Sequence, residues 1–276
     1  MQKSTEIIVL VENSTFSAGL AGRHGLCLAI RRENTWLLFD TGPDATLLSN
    51  AQNLGVPLES IHSIILSHGH YDHAGGLNAL SRITTPKALW MHPKAPQPKY
   101  RSDGSFIGMN IPPSYEVILH PTETPTEILP HVWLMPSIAI TNPNDTHIDR
   151  LEKEGLHGRE QDTFEDELFL VLEEAQSISI ITGCSHRGIT NIIETAMHNF
   201  NKPIDFIVGG FHLNHTTREA RQVIYDSLIS YPIKHIAVCH CTGLQAYAEL
   251  LFLGKFSVDY ASTGYRIHLP HQSKIP

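Results

Sequence analysis

Short apolar runs rich in Ile, Val and Leu recur along the chain, and several of them end in glycine together with histidine, aspartate or cysteine. Runs of this kind predict strands, several of them buried on both faces. In the first part they fall at 6–11, 26–30, 35–40 and 61–66, with a hairpin break at Asn34 and a helix over 45–54. In the last part strands are predicted at 167–173, 177–182, 204–208, 235–239, 257–260 and 265–269. Helices over 188–200, 216–230 and 243–252 separate them. Between the two parts, 86–143 holds eleven of the chain's seventeen prolines, which deny ladder hydrogen bonds and break helices. That stretch is expected to be largely irregular, with short strands at 88–92, 116–119 and 132–135. It reads either as a substrate wall or lid, or as a structural excursion. Residues 142–166 are polar and charged and read as a link. Each half sets strands beside helices with polar motifs at strand ends. Two stacked sheets with helices outside them fit this better than a singly wound parallel sheet.

The motif densest in chemistry is Ser67-His68-Gly69-His70-Tyr71-Asp72-His73-Ala74-Gly75-Gly76. It follows the run of 61–66, and its glycine pair with the apolar residues up to Leu80 reads as a tight turn into a helix. Imidazole nitrogen and carboxylate oxygen are ligands for zinc and other divalent first-row metals. His68 and His70, two apart in an extended turn, project to the same side. Asp72 and His73 project from the turn that enters the helix. Four ligands from one loop cannot all surround a single tetrahedral ion, so the spacing favours two neighbouring metal positions. The bland alternative is a solvated loop in a chain with 18 histidines. The compound pattern of strand, His-x-His-x-Asp-His and Gly-Gly argues against it. Asp40, at the end of the third strand, is expected either to accept a hydrogen bond from a ligating imidazole or to cap a turn. Further histidines end strands in Thr182-Gly183-Cys184-Ser185-His186, Gly209-Gly210-Phe211-His212-Leu213 and Cys239-His240-Cys241-Thr242-Gly243.

Composition narrows the setting. At 276 residues, 41% hydrophobic and 17% charged, the chain reads as an ordinary globular protein. We expect a single domain over 1–276 with a proline-rich insertion around 86–143. A net charge of −8, with no Lys/Arg run, argues against a nucleic-acid partner and for a small-molecule substrate. No apolar stretch approaches the roughly 18 residues of a membrane span, and the start does not read as a signal peptide. A cytoplasmic protein without a membrane partner is expected. The four cysteines, Cys27, Cys184, Cys239 and Cys241, read as thiols. Nothing in the sequence marks the oligomeric state.

The chain resembles the metallo-β-lactamase-fold superfamily over nearly its whole length, from Asp40-Thr41-Gly42 through the 68–73 motif to Gly264-Tyr265-Arg266-Ile267. Within it, Thr-Gly-Cys-Ser-His-x-Gly-Ile-x-Asn (182–191) and His-Cys-Thr-Gly (240–243) are similar to the dihydropterin-aminobenzene-ribofuranosyl-phosphate synthase-like branch. The resemblance implies an α+β fold, an αββα sandwich of two mixed sheets between outer helices, with metals at one edge. It also implies that His68, His70 and His186 hold one metal and Asp72, His73 and His240 the other. Where many members bridge the metals with an aspartate, this chain has Cys184, either a thiolate ligand or a buried thiol. His212 is a further ligand or, the preferred reading, a substrate-facing acid/base. Cys239 and Cys241 flank His240 and are expected to point away from it into the core.

Zinc, as two ions, is the default cofactor, and iron or manganese would satisfy the same donors. Such an ion lowers the pKa of bound water to roughly 7, and a second ion about 3.5–4 Å away clamps the incoming or departing oxygen. Asp72 is expected to share that water's proton as well as bind metal. The reading that follows is a metal-dependent hydrolase of a small anionic metabolite. One alternative is the branch's synthase activity, a carbon–nitrogen bond formation with diphosphate loss. The other is a metal-bound sensor or effector without turnover. A nuclease is disfavoured by the acidic balance, and a secreted antibiotic-degrading enzyme by the lack of a signal peptide.

Overall fold

A computed structural model describes residues 4–83, 88–112 and 119–269. The first strands are β1 (Thr5–Val11), β2 (Cys27–Arg32), β3 (Thr35–Phe39), β4 (Ile61–Ile65) and β5 (Ala88–Met91). Then come β6 (Lys99–Arg101), β7 (Leu119–Pro121), β8 (Thr126–Leu129), β9 (Val132–Met135), β10 (Leu151–Gly155) and β11 (Gly158–Gln161). The last are β12 (Phe169–Glu173), β13 (Ile178–Ile181), β14 (Ile204–Gly209), β15 (Ile233–Val238), β16 (Ser257–Tyr260) and β17 (Arg266–Leu269). The helices are α1 (Thr46–Leu54), α2 (Tyr71–Ala74), α3 (Leu77–Leu80), α4 (Ile189–Phe200), α5 (Arg218–Leu228) and α6 (Leu244–Leu253).

Two seven-stranded sheets carry the fold, in the orders β17-β1-β2-β3-β4-β5-β7 and β16-β15-β14-β13-β12-β9-β8. Both are mixed: β3-β4-β5-β7 and β13-β14-β15-β16 run parallel, and their flanks are antiparallel. Side chains alternate across each strand, so β1 sends Ile7 and Val9 into the layer between the sheets and Ile8 and Leu10 outward. The middle layer packs Leu28, Phe39 and Ile65 of one sheet against Leu170, Phe206 and Val208 of the other. Outside it, α1 and α3 cover the first sheet, and α4, α5 and α6 cover the second. The result is an αββα sandwich. Strands buried on both faces must be apolar at every position, which is why the sequence shows continuous runs there.

Two expectations need correction. Two short helices flank the glycine pair, α2 before it and α3 after it, and Asp72 and His73 lie within α2 rather than in a turn. Gly75 and Gly76 have right-handed backbone at this junction. They are needed for close approach: a Cβ would sit 2.1 Å from the Pro43 carbonyl oxygen at Gly75 and 2.1 Å from that of Thr41 at Gly76. The proline-rich segment is irregular over most of its described residues, as expected, and its short strands β5, β7, β8 and β9 join the two large sheets. Pro121 is tolerated because β7 is an edge strand. The strand expected at 116–119 lies, up to residue 118, outside the described residues. Finally, the polar link of 142–166 contains the hairpin β10–β11, which pairs with β6 in a separate three-stranded sheet.

α5 and α6 are tied by a two-pronged ion pair, Arg221 Nε to Glu249 Oε2 at 2.7 Å and Arg221 Nη2 to Oε1 at 2.8 Å. Hydrogen bonds from Arg221 hold the Glu249 carboxyl down to about 2. A depressed carboxyl stabilises the fold above the ordinary glutamate value and loses that contribution as the pH falls through its folded value. We therefore expect the gap in Tm between wild type and Glu249→Gln to close as the pH drops from 4.5 towards about 2. A gap that is absent at neutral pH would make this pair ornamental.

Candidate metal centre

The carboxyl ends of strands from both sheets meet at one edge of the sandwich. There β4 runs into the His68–His73 loop, β13 into Cys184 and His186, β14 into His212, and β15 into His240. Ligands of open α/β sheets gather at such ends, because the chain must leave the sheet there. The structure brings His68, His70, Asp72, His73, Cys184, His186 and His240 together. The ligand atoms of His68, Cys184 and His186 lie within 4.8 Å of one another, and so do those of His73, Cys184 and His240. The Cys184 thiol is common to both groups. His212 stands beside them, its ring 4.4 Å from that of His186 but outside either group among the described residues.

The hydrogen bonds around the site decide which nitrogen each imidazole presents. Asp40, fully buried, accepts from the backbone N–H of Ser67 at 2.7 Å, from Ser67 Oγ at 2.7 Å and from His73 Nδ1 at 2.6 Å. Having given its proton to Asp40, Ser67 Oγ can only accept from His68 Nδ1, 2.9 Å away. His186 Nδ1 donates to the His147 carbonyl oxygen at 3.1 Å, and His240 Nδ1 to Asn13 Oδ1 at 2.8 Å. With Nδ1–H committed in each ring, the neutral imidazole turns an Nε2 lone pair into the site. The Nε2 atoms of His68, His70 and His186 are buried and have no partner among the described residues. Buried polar atoms are rarely left so, and a cluster of buried acceptors without donors fits a cation. The donor set therefore fits divalent metal.

The charges agree with this. Burial lowers His68 and His186 well below the ordinary histidine value and takes His70 to about 3, so these rings stay neutral with free lone pairs. Burial also works against charge on His73, but the Asp40 and Asp72 carboxylates push it up to about 9. Metal binding at His73 would thus release a proton. Asp72 is held ionised by His73 and His240 despite its burial. Its Oδ2 lies 3.5 Å from His240 Nε2, 3.4 Å from His24 Nε2 and 4.0 Å from His73 Nε2.

Several residues of the site were not legible in the sequence. Glu12, fully buried after β1, accepts from the backbone N–H of His240 at 2.7 Å, and Asn13 orients the same ring. His24 joins Asp72 from a loop. Phe164 stacks on His186 with ring centroids 3.8 Å apart and meets His70 edge-on. Glu167 accepts from the backbone N–H groups of His186 and Arg187, each at 2.7 Å. A buried triad, Lys99 with Asp162 at 2.5 Å and Asp166 at 2.9 Å, supports the loop, since Asp166 also accepts from the N–H of Gly69 at 2.8 Å. One expectation about the thiols fails. Cys239 is in the core, whereas Cys241 is half-buried, lines the cavity and donates to the Cys184 carbonyl oxygen. The alternation of a strand does not reach it, because the chain turns at His240 with φ 51° into a 3₁₀ turn.

The cavity over the site measures about 660 Å³. Its walls come from 101–103 and Ile107 of the proline-rich segment, from 149–151, and from His212, Asn214 and His215. No helix among the described residues is long and apolar enough to cross a membrane.

Fold and site together define a metallo-β-lactamase-type protein, and residues 20–156 match the model of the metallo-β-lactamase superfamily. The αββα sandwich is the fold of that superfamily. It is 27% identical over 278 residues to 7,8-dihydropterin-6-methyl-4-(β-D-ribofuranosyl)-aminobenzene-5′-phosphate synthase of Methanocaldococcus jannaschii, covering 92% of both chains. It is 29% identical over 264 residues to an uncharacterized protein of the same organism, covering 91% of this chain and 95% of that one. Among solved structures, a metal-dependent hydrolase of the β-lactamase superfamily superposes with a TM-score of 0.84 at 29% identity, covering 95% of this chain and 98% of its own.

Proposed function

We propose that this protein is a metal-dependent hydrolase of a small anionic metabolite, working at a site for two divalent ions, zinc by default. The observation that carries the reading is a pair of buried ligand groups, His68 with Cys184 and His186 and His73 with Cys184 and His240, that share one thiol. His68, His70 and His186 hold one ion, Asp72, His73 and His240 the other, and Cys184 stands between them. A divalent ion in such a site supplies Lewis acidity to a substrate oxygen and acidifies water at neutral pH. Asp72, held ionised, accepts a hydrogen bond from the attacking water and orients it. His212, half-buried on the cavity wall beside His186, faces the substrate. Phe164 and the sheet ends exclude solvent from the histidine cluster. The similarity to a metal-dependent hydrolase over nearly the whole of both chains supports this reading.

A second reading, a synthase joining a pterin to an aminobenzene ribose phosphate, is favoured by the likeness to the Methanocaldococcus jannaschii synthase. Product analysis with a dihydropterin diphosphate separates the two. For the hydrolase, a panel of esters, thioesters and phosphoesters should be cleaved by metal-loaded protein and not after chelation. His70→Ala and His240→Ala should each lose metal by elemental analysis, with metal affinity down at least about 10–100-fold. His212→Ala should lose turnover with metal content intact. Full metal retention in both ligand variants would remove those side chains from the site.

A further inference from the structure

We infer that Arg101 and Arg150 form a subsite for a phosphate group of the substrate, an inference that rests on the hydrolase reading and names its substrate class. Both line the cavity that also exposes His70, Asp72, His186 and His240. They are neighbours: Arg101 is the register partner of Leu151, and the N–H of Ser102 donates to the Arg150 carbonyl oxygen at 2.9 Å. Arg150 holds a left-handed backbone, φ 61°, disfavoured for a residue with a Cβ. Neither guanidinium has an ion pair or hydrogen bond among the described residues, although acids outnumber bases in this chain. By contrast Arg31, Arg32, Arg221 and Arg266 all meet glutamates.

The wall that carries the pair is fixed to the metal loop. Gly108 bridges to His70, the N–H of Tyr71 donates to the Ile107 carbonyl oxygen at 2.9 Å, and buried Lys99 anchors β6. The backbone that carries the two exposed arginines is therefore fixed relative to the histidines. Two carboxylates share their surroundings. Asp103 accepts from the Ser105 N–H at 2.9 Å and its Oγ at 2.7 Å, and it also feels the charge of Arg101. Asp149 is exposed on the cavity wall and favours a ligand whose phosphate sits near a hydroxyl or amine donor. A planar guanidinium offers two parallel N–H donors to a phosphate edge, so two of them suit a dianion better than a carboxylate.

The test is calorimetric binding of phenylphosphonate, benzoate and phenol to wild type, Arg101→Gln, Arg150→Gln and the double variant, with metal loaded and after chelation. Phenylphosphonate is expected to bind tightest, and the double variant to weaken it about 10–100-fold while phenol binding and metal content stay unchanged. The same arginine dependence should survive chelation. Unchanged phenylphosphonate affinity in the double variant overturns the subsite, as does an equal loss for phenol. Benzoate bound as tightly overturns the phosphate assignment. Binding that depends on metal and not on the arginines places the anion on the ions and overturns the subsite while sparing the hydrolase reading. Arginine-dependent binding with no ester cleavage by loaded protein fails that reading and keeps the subsite.

Discussion

Lys99→Met is expected to destabilise the fold by about 3–5 kcal/mol, because it strips the partner from two buried carboxylates while keeping most of the side chain's volume. Asp162 and Asp166 are 1% and 2% exposed, and Lys99 itself is 1% exposed. The Lys99 ammonium is their ion-pair partner among the described residues. Removing a charge from such a group costs far more than breaking a surface pair, whose value is about 0–1 kcal/mol. Adding Asp162→Asn and Asp166→Asn to Lys99→Met should recover most of the stability, since the burial penalty leaves with the charges. Urea unfolding measures all of these. A loss under about 1 kcal/mol for Lys99→Met would mean that the triad is hydrated and behaves as a surface pair.

The same triad marks the boundary of what a sequence alone discloses. The sandwich was legible because its strands are buried on both faces and must be apolar throughout, as at 204–208 and 235–239. The histidines were legible because strand ends punctuated by glycine are short local patterns. Lys99, Asp162 and Asp166 carry no such pattern: they are separated by 63 and 67 positions and meet only through the fold. Asn13 and Glu12 reach His240 from more than 220 positions away. Ordinary acids and amides in loops look like solvated residues until the fold buries them. The hairpin of β10 and β11 was missed for a different reason. Its strands, Leu-Glu-Lys-Glu-Gly and Gly-Arg-Glu-Gln, are charged and of low strand propensity, and only Gly155-Leu156-His157-Gly158 betrayed the turn. In the proline-rich segment the irregular backbone was legible from its prolines, and Pro121 enters a strand only at a sheet edge.

Cys184→Ala should take the metal content of the protein down by about half and its activity with it, because that side chain is common to both ligand groups. The thiol is buried, and burial raises its pKa well above the ordinary cysteine value. Its sulfur nevertheless lies 3.1 Å from His73 Nε2, within hydrogen-bond reach. A divalent ion at that vertex would compete for the thiol proton, which is how a buried thiol becomes a ligand. Cys184→Asp should restore two ions if the role is that of a shared anionic ligand. It should also make the chelated protein less stable than wild type, because Asp72 and Glu167 act on the same position. Metal would then stabilise the aspartate variant more than it stabilises the native chain, and the Tm gain on adding zinc measures the difference. If Cys184→Ala keeps its metal-to-protein ratio by elemental analysis, the sulfur is packing between two histidine groups and nothing more. The two ions would then be held without a shared side chain.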